Sequence, residues 1–101
     1  MARLRIAQVA QQDLREIRIP SKLAFGASVA KDYLIGIRAA FARLREHPFA
    51  GVAENDIGMG LRGLSHRPHR IYYRVEGEDD VLIVRVLHHS RDVGSALGSE
   101  H

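Results

Sequence analysis

Along this 101-residue chain the spacing of apolar residues switches between two periods, and each switch marks a predicted element. From Arg3 to Val9 basic or polar positions alternate with apolar ones, Arg3 and Arg5 against Leu4 and Ile6. That alternation predicts a short first strand, because strand side chains point to opposite faces in turn. From Ala10 the spacing becomes helical, with Ala10, Leu14 and Ile17 on one stripe. Pro20 lacks an N–H and disfavours helical geometry at Ile19, so the helix is expected to stop or kink near Arg18. Ser21–Phe25 then reads as a second short helical piece. Gly26 predicts a turn and Ser28 an N-cap.

The next helix has the most regular pattern in the chain. Val29, Ala30, Tyr33, Leu34, Ile37, Ala40, Phe41 and Leu44 form its apolar stripe, while Asp32, Arg38, Arg43, Arg45 and Glu46 face away. Gly36 inside it predicts close packing against the first helix. His47-Pro48 ends it, and Phe49–Gly60 reads as a glycine-bearing loop. Three strands follow: Leu61–Ser65, Arg70–Glu76 and Val81–Leu87. His66–His69 supplies one turn and Glu76–Asp80 a polar connection of hairpin length. Residues 93–101 are small and polar and read as a loosely ordered tail. The expected order is β-α-α-β-β-β, an α+β domain over residues 1–92. Its helical hairpin should cover one face of an antiparallel-rich sheet.

Pleat geometry then decides what the sheet shows on its other face. Ile71, Tyr73 and Val75 share one side of their strand, and Arg70, Tyr72 and Arg74 the other. In the last strand Leu82, Val84 and Val86 are the more apolar set, and Ile83, Arg85 and Leu87 the mixed one. If both apolar sets face one core, Arg70, Tyr72, Arg74 and Arg85 lie together on the opposite face. Guanidinium groups bind oxyanions bidentately and stack on rings, so that face suits phosphates, carboxylates or nucleobases. The alternative is an ordinary solvated sheet face.

Composition narrows the classes of function. Apolar residues make up 46% and charged residues 27%, as in ordinary globular domains. With no cysteine, disulfides and thiolate metal sites are excluded. No stretch is apolar enough to span a bilayer or to serve as a signal peptide, so a cytoplasmic protein without a membrane partner is expected. The net charge of +3 is carried almost wholly by arginine, Lys22 and Lys31 being the only lysines. Such a surface suits a polyanion or an acidic protein segment.

The groups needed for RNA transesterification are present. Arg62, Arg70, Arg74, Arg85 or Arg91 would supply a cation for the phosphorane, and His66, His69, His88 or His89 would transfer protons. His88 falls on the apolar side of its strand or at its end, which favours a structural role. No metal site is expected. His66-x-x-His69 straddles a turn containing Pro68, His88 and His89 point to opposite faces, and no carboxylate or cysteine completes a set. No cofactor motif is present.

Taken in order, Ala10-x-x-Asp13-Leu14-x-x-Ile17, Phe25-Gly26, Ala30-x-x-Tyr33-Leu34, His47-Pro48 and Gly60-Leu61-Arg62 resemble the ParE/RelE superfamily of bacterial toxins. The likeness is strongest at Ile71-x-Tyr73-Arg74-Val75 and at Ile83-x-Arg85-Val86-Leu87-His88-x-x-Arg91-Asp92, where it favours the ParE branch. The resemblance implies the toxin of a type II toxin–antitoxin system. A cognate ParD-like antitoxin would neutralise it through a C-terminal segment that wraps the toxin and folds on binding. It also implies DNA gyrase as the target, inhibited by protein binding without enzymatic activity, and a higher-order toxin–antitoxin hetero-oligomer. Arg70, Tyr72, Arg74, Arg85 and Arg91 are the expected antitoxin- or target-binding residues. The RelE branch offers an alternative, a metal-independent, ribosome-dependent mRNA endonuclease using His66, His69, Arg74 and Arg85. A further alternative is an inactive toxin-like binding module. Two departures stand out: Pro20 in the first helix, and a tail without the tyrosine common in RelE-like nucleases.

Overall fold

The first and last strands lie side by side in one sheet. In the computed structural model, which describes residues 3–91, β1 (Leu4–Ile6) runs parallel to β5 (Asp80–His88). Between them in sequence lie α1 (Gln8–Phe25), α2 (Ala27–Glu46), β2 (Val52–Ala53), β3 (Leu61–His66) and β4 (His69–Glu76). The strands are ordered β1-β5-β4-β3-β2, and every pairing except β1 with β5 is antiparallel. The fold is α+β, as the periodicities predict, with one strand more than expected. β2 lies inside the predicted loop and escapes notice because it is two residues long and exposed on both. Asp92 and the tail expected over 93–101 lie outside the described residues.

The helical hairpin differs from expectation at its first half. α1 runs unbroken through Pro20 to Phe25, with no stop near Arg18 and no separate second piece. Proline's fixed φ is compatible with a helix, and its missing N–H would have reached the carbonyl of Glu16, an exposed residue whose carbonyl is left to solvent at little cost. Gly26, at φ 89°, closes the hairpin; a side chain there would be strained. Its N–H donates to the Lys22 carbonyl, and its own carbonyl accepts from Ala30. Gly26, not Ser28, therefore stands at the N-terminus of α2, and Ser28 lies inside the helix.

The main core lies between the hairpin and the sheet. Ala10 and Ile17 of α1 and Ile37, Phe41 and Leu44 of α2 pack on Ile71, Tyr73, Val81, Ile83 and Val86. Tyr73 is fully buried, and its hydroxyl accepts the Gly51 N–H at 2.8 Å. A Cβ on Gly51 would stand 2.6 Å from that hydroxyl and 2.8 Å from the Gly63 carbonyl, neither of which has room to retreat. Gly51→Ala is therefore expected to lower stability by about 1–3 kcal/mol in urea unfolding. An unchanged midpoint would mean that the segment before β2 is free to move.

A bulge decides which side chains of β5 face this core. Tyr72 pairs with Arg85 but Tyr73 with Ile83, leaving Val84 as an extra residue. Alternation slips by one at that point. Val81, Ile83 and Val86 face the helices, while Leu82, Val84 and Leu87 join Leu61, Tyr72 and Ile57 in a second cluster on the outer face. The expectation that Leu82, Val84 and Val86 form one inward set is corrected accordingly.

Candidate protein interface

The outer sheet face does gather Arg70, Tyr72 and Arg74, as the pleat predicts, but it is not an open platform. Arg70 pairs with Glu54 at 2.7 Å and lies over the Tyr72 ring at 5.9 Å. Gly63 makes this possible, because a Cβ there would stand 2.7 Å from the Arg70 Nε. The Arg74 guanidinium lies against Gly58. Ile57 packs on the cluster beneath, so the segment 54–60 closes over the face and Tyr72 is only 4% exposed. Burial pushes its phenol above the ordinary range, with Arg70 pulling the other way.

Arg85 and Arg91 do not join that group. β1 ends opposite Ile83, so the β5 backbone beyond it has no neighbouring strand on that edge. Asp13 of α1 takes the strand's place, accepting the Val86 N–H at 3.0 Å and a two-pronged contact from Arg85 at 2.7 and 2.8 Å. Arg85 is 5% exposed and is held in this ion pair. The structure thus joins two motifs that the sequence shows 72 residues apart. Arg91 lines a cleft on the helix side with Glu16, His69 and His88.

The residues of a nuclease reading do not converge. His66 and His69 meet Tyr33 on the helix side, Arg74 lies on the outer face, and Arg85 is held by Asp13. His66, His69, His88 and His89 do come together through ring contacts. His88 is exposed at the strand end, on the same helix-facing side as Val86, and hydrogen-bonded to Ser90. No group of three or more His, Cys, Asp or Glu among the described residues is arranged to hold a metal ion. No helix among them is long and apolar enough to cross a membrane.

The feature that pattern reading missed lies on the outside of the hairpin. A groove of about 810 Å³ runs between the helices, floored by Ala30 and Leu34 and flanked by exposed Leu23 and Ile35. It continues through Arg18, Leu34 and Arg38 into a second hollow of about 350 Å³ that reaches Leu14 and Ile6 beside β1. Arg15, Arg18, Lys22, Lys31 and Arg38 line the two hollows, and both lysines of the chain are among them. Leu23 and Ile35 are 84% and 54% exposed. Large apolar side chains held in water between cations suit an amphipathic acidic segment. The sequence signal was Ile35, an apolar residue off the core stripe of its helix.

A hairpin packed on one face of a sheet whose first strand returns parallel to its last places the chain in the RelE/ParE-like class of folds. Its structure superposes on a chain of the chromosomal ParDE toxin–antitoxin system from P. aeruginosa with a TM-score of 0.76. That match has 22% identity and covers 87% of this chain and 96% of the other. Against the toxin–antitoxin complex RelBE2 from Mycobacterium tuberculosis the TM-score is 0.57 at 23% identity, covering 86% and 96%. The family model for the ParE toxin of the type II toxin–antitoxin system parDE matches residues 4–93. Toxin ParE1 of Mycobacterium tuberculosis is 36% identical over 96 residues, 95% of this chain and 98% of that protein. Toxin ParE3 of Caulobacter vibrioides is 36% identical over 75 residues, 74% of each. The chain belongs to the ParE toxin family.

Proposed function

We propose that the chain is a toxin that inhibits DNA gyrase in the cytoplasm by binding it, and that a cognate ParD-like antitoxin neutralises it by seating an acidic, amphipathic C-terminal segment in the hairpin groove. The observation that carries the antitoxin site is the groove itself, where apolar area and five cations occur together. A disordered acidic segment would be drawn in by charge and would gain affinity by burying its apolar side chains against Leu23, Leu34 and Ile35. The gyrase target is supported by family membership. The divergence of His66, His69, Arg74 and Arg85 across the sheet weighs against the endonuclease alternative. Arg70, Tyr72 and Arg74 remain candidates for target contact, on condition that the 54–60 segment moves aside.

Expression of the chain alone in a bacterial host is expected to arrest growth. Co-expression with an antitoxin encoded beside its gene should restore growth and yield a complex that co-purifies. Normal growth with abundant folded protein would remove the toxin assignment.

A further inference from the structure

Four of the six histidines meet where the hairpin rests on the end of the sheet. Tyr33 on α2 contacts the rings of His66 and His69, each at a centroid separation of 5.5 Å. His69 meets His88 edge-on at 5.6 Å, and His88 stacks on His89 at 4.5 Å. The His89 N–H donates to the Pro68 carbonyl at 2.9 Å, tying the chain after β5 to the β3–β4 turn. The Tyr33 hydroxyl stands 2.5 Å from His69 Nδ1 and 3.3 Å from the His66 carbonyl, to which it can donate.

We propose that this cluster is a proton-operated latch, which when neutral holds α2 against the β3–β4 turn through Tyr33 and when protonated releases it. A neutral His69 can take either role in its hydrogen bond with Tyr33, whereas a charged one can only donate. Its charge would sit in a half-buried position facing His66, His88 and His89, with Arg67 in the adjoining turn. The anions within reach are poor compensation. Asp13 is already engaged by Arg85 and the Val86 N–H, and Glu16 shares its cleft with Arg91. Opening the contact returns the imidazoles to water, so proton uptake favours the open form.

Burial, then His88, His66 and His89, lower the affinity of His69 for a proton, and Asp13 opposes them. The folded value therefore lies below the ordinary 6.5. The latch is at full strength above that pH and weakens as pH falls through the lower, folded value. Because α2 also walls the groove, opening would loosen a partner seated there. That consequence rests on the groove reading, while the latch itself does not.

Amide hydrogen exchange, corrected for intrinsic rates, tests the latch in the isolated chain at about pH 7.5 and about pH 5.5. Protection over Val29–Gly36 is expected to fall about tenfold at the lower pH, with β5 amides around Ile83 unchanged. His69→Asn keeps a hydrogen-bonding group near the Nδ1 position without titrating, and should abolish the change. Tyr33→Phe should leave α2 weakly protected at both pH values while the His69 ring NMR signal still titrates. Equal protection of the wild type at both pH values would overturn the proposal. So would the same loss in His69→Asn, or a loss spread evenly over β5.

Discussion

Arg85→Met is expected to lower stability by about 3–5 kcal/mol, a large share of what a domain of this size has. The substitution removes both hydrogen bonds to Asp13 and leaves a carboxylate that is 5% exposed without its cation. Much of the loss comes from that stranded charge and little from the attraction itself. Adding Asp13→Asn to Arg85→Met should therefore recover about 2 kcal/mol, since the neutral amide oxygen still accepts the Val86 N–H. Urea unfolding of the three proteins reads both effects. A double variant no more stable than Arg85→Met would mean that the buried pair is not the source of the loss.

The second large effect belongs to the groove. Ile35→Asp combined with Arg38→Glu is expected to weaken antitoxin binding by about 2–4 kcal/mol, roughly 30- to 1000-fold, with little change in the urea midpoint. Both residues are exposed, so the fold loses nothing it depends on. Ile35 offers apolar area to the partner, and reversing Arg38 sets like charges against an acidic segment. Arg74→Glu, on the far face of the sheet, serves as the comparison and should change antitoxin affinity by less than about threefold. Titration calorimetry with the purified antitoxin decides between the two faces. The reverse ranking would return the antitoxin site to the sheet.

The contrast between those two variants marks how far the sequence could be read. Element order was legible because Leu4 to Ile6, Ala10 to Ile17, Val29 to Leu44 and the three late strands each keep one period long enough to count. β2 was not, since two exposed residues carry no period. The break expected at Pro20 does not occur, because proline's fixed φ is compatible with a helix and α1 continues to Phe25. The faces of Leu82, Ile83 and Val84 do not follow from pattern because a bulge is a property of pairing: nothing in Val81–Leu87 announces that Val84 is the extra residue. Asp13 and Arg85 were each visible as motif residues, yet their contact depends on how short β1 is. The histidines were legible as two pairs and became one cluster only when three segments met Tyr33.

The proposed activity is inhibition of gyrase by a protein that its antitoxin can restrain. A supercoiling and cleavage assay with purified gyrase, plasmid and this chain tests it most directly, with and without the antitoxin. Loss of supercoiling with trapped double-strand breaks is expected, both reversed by the antitoxin. Undisturbed supercoiling by folded protein that still arrests growth would contradict it.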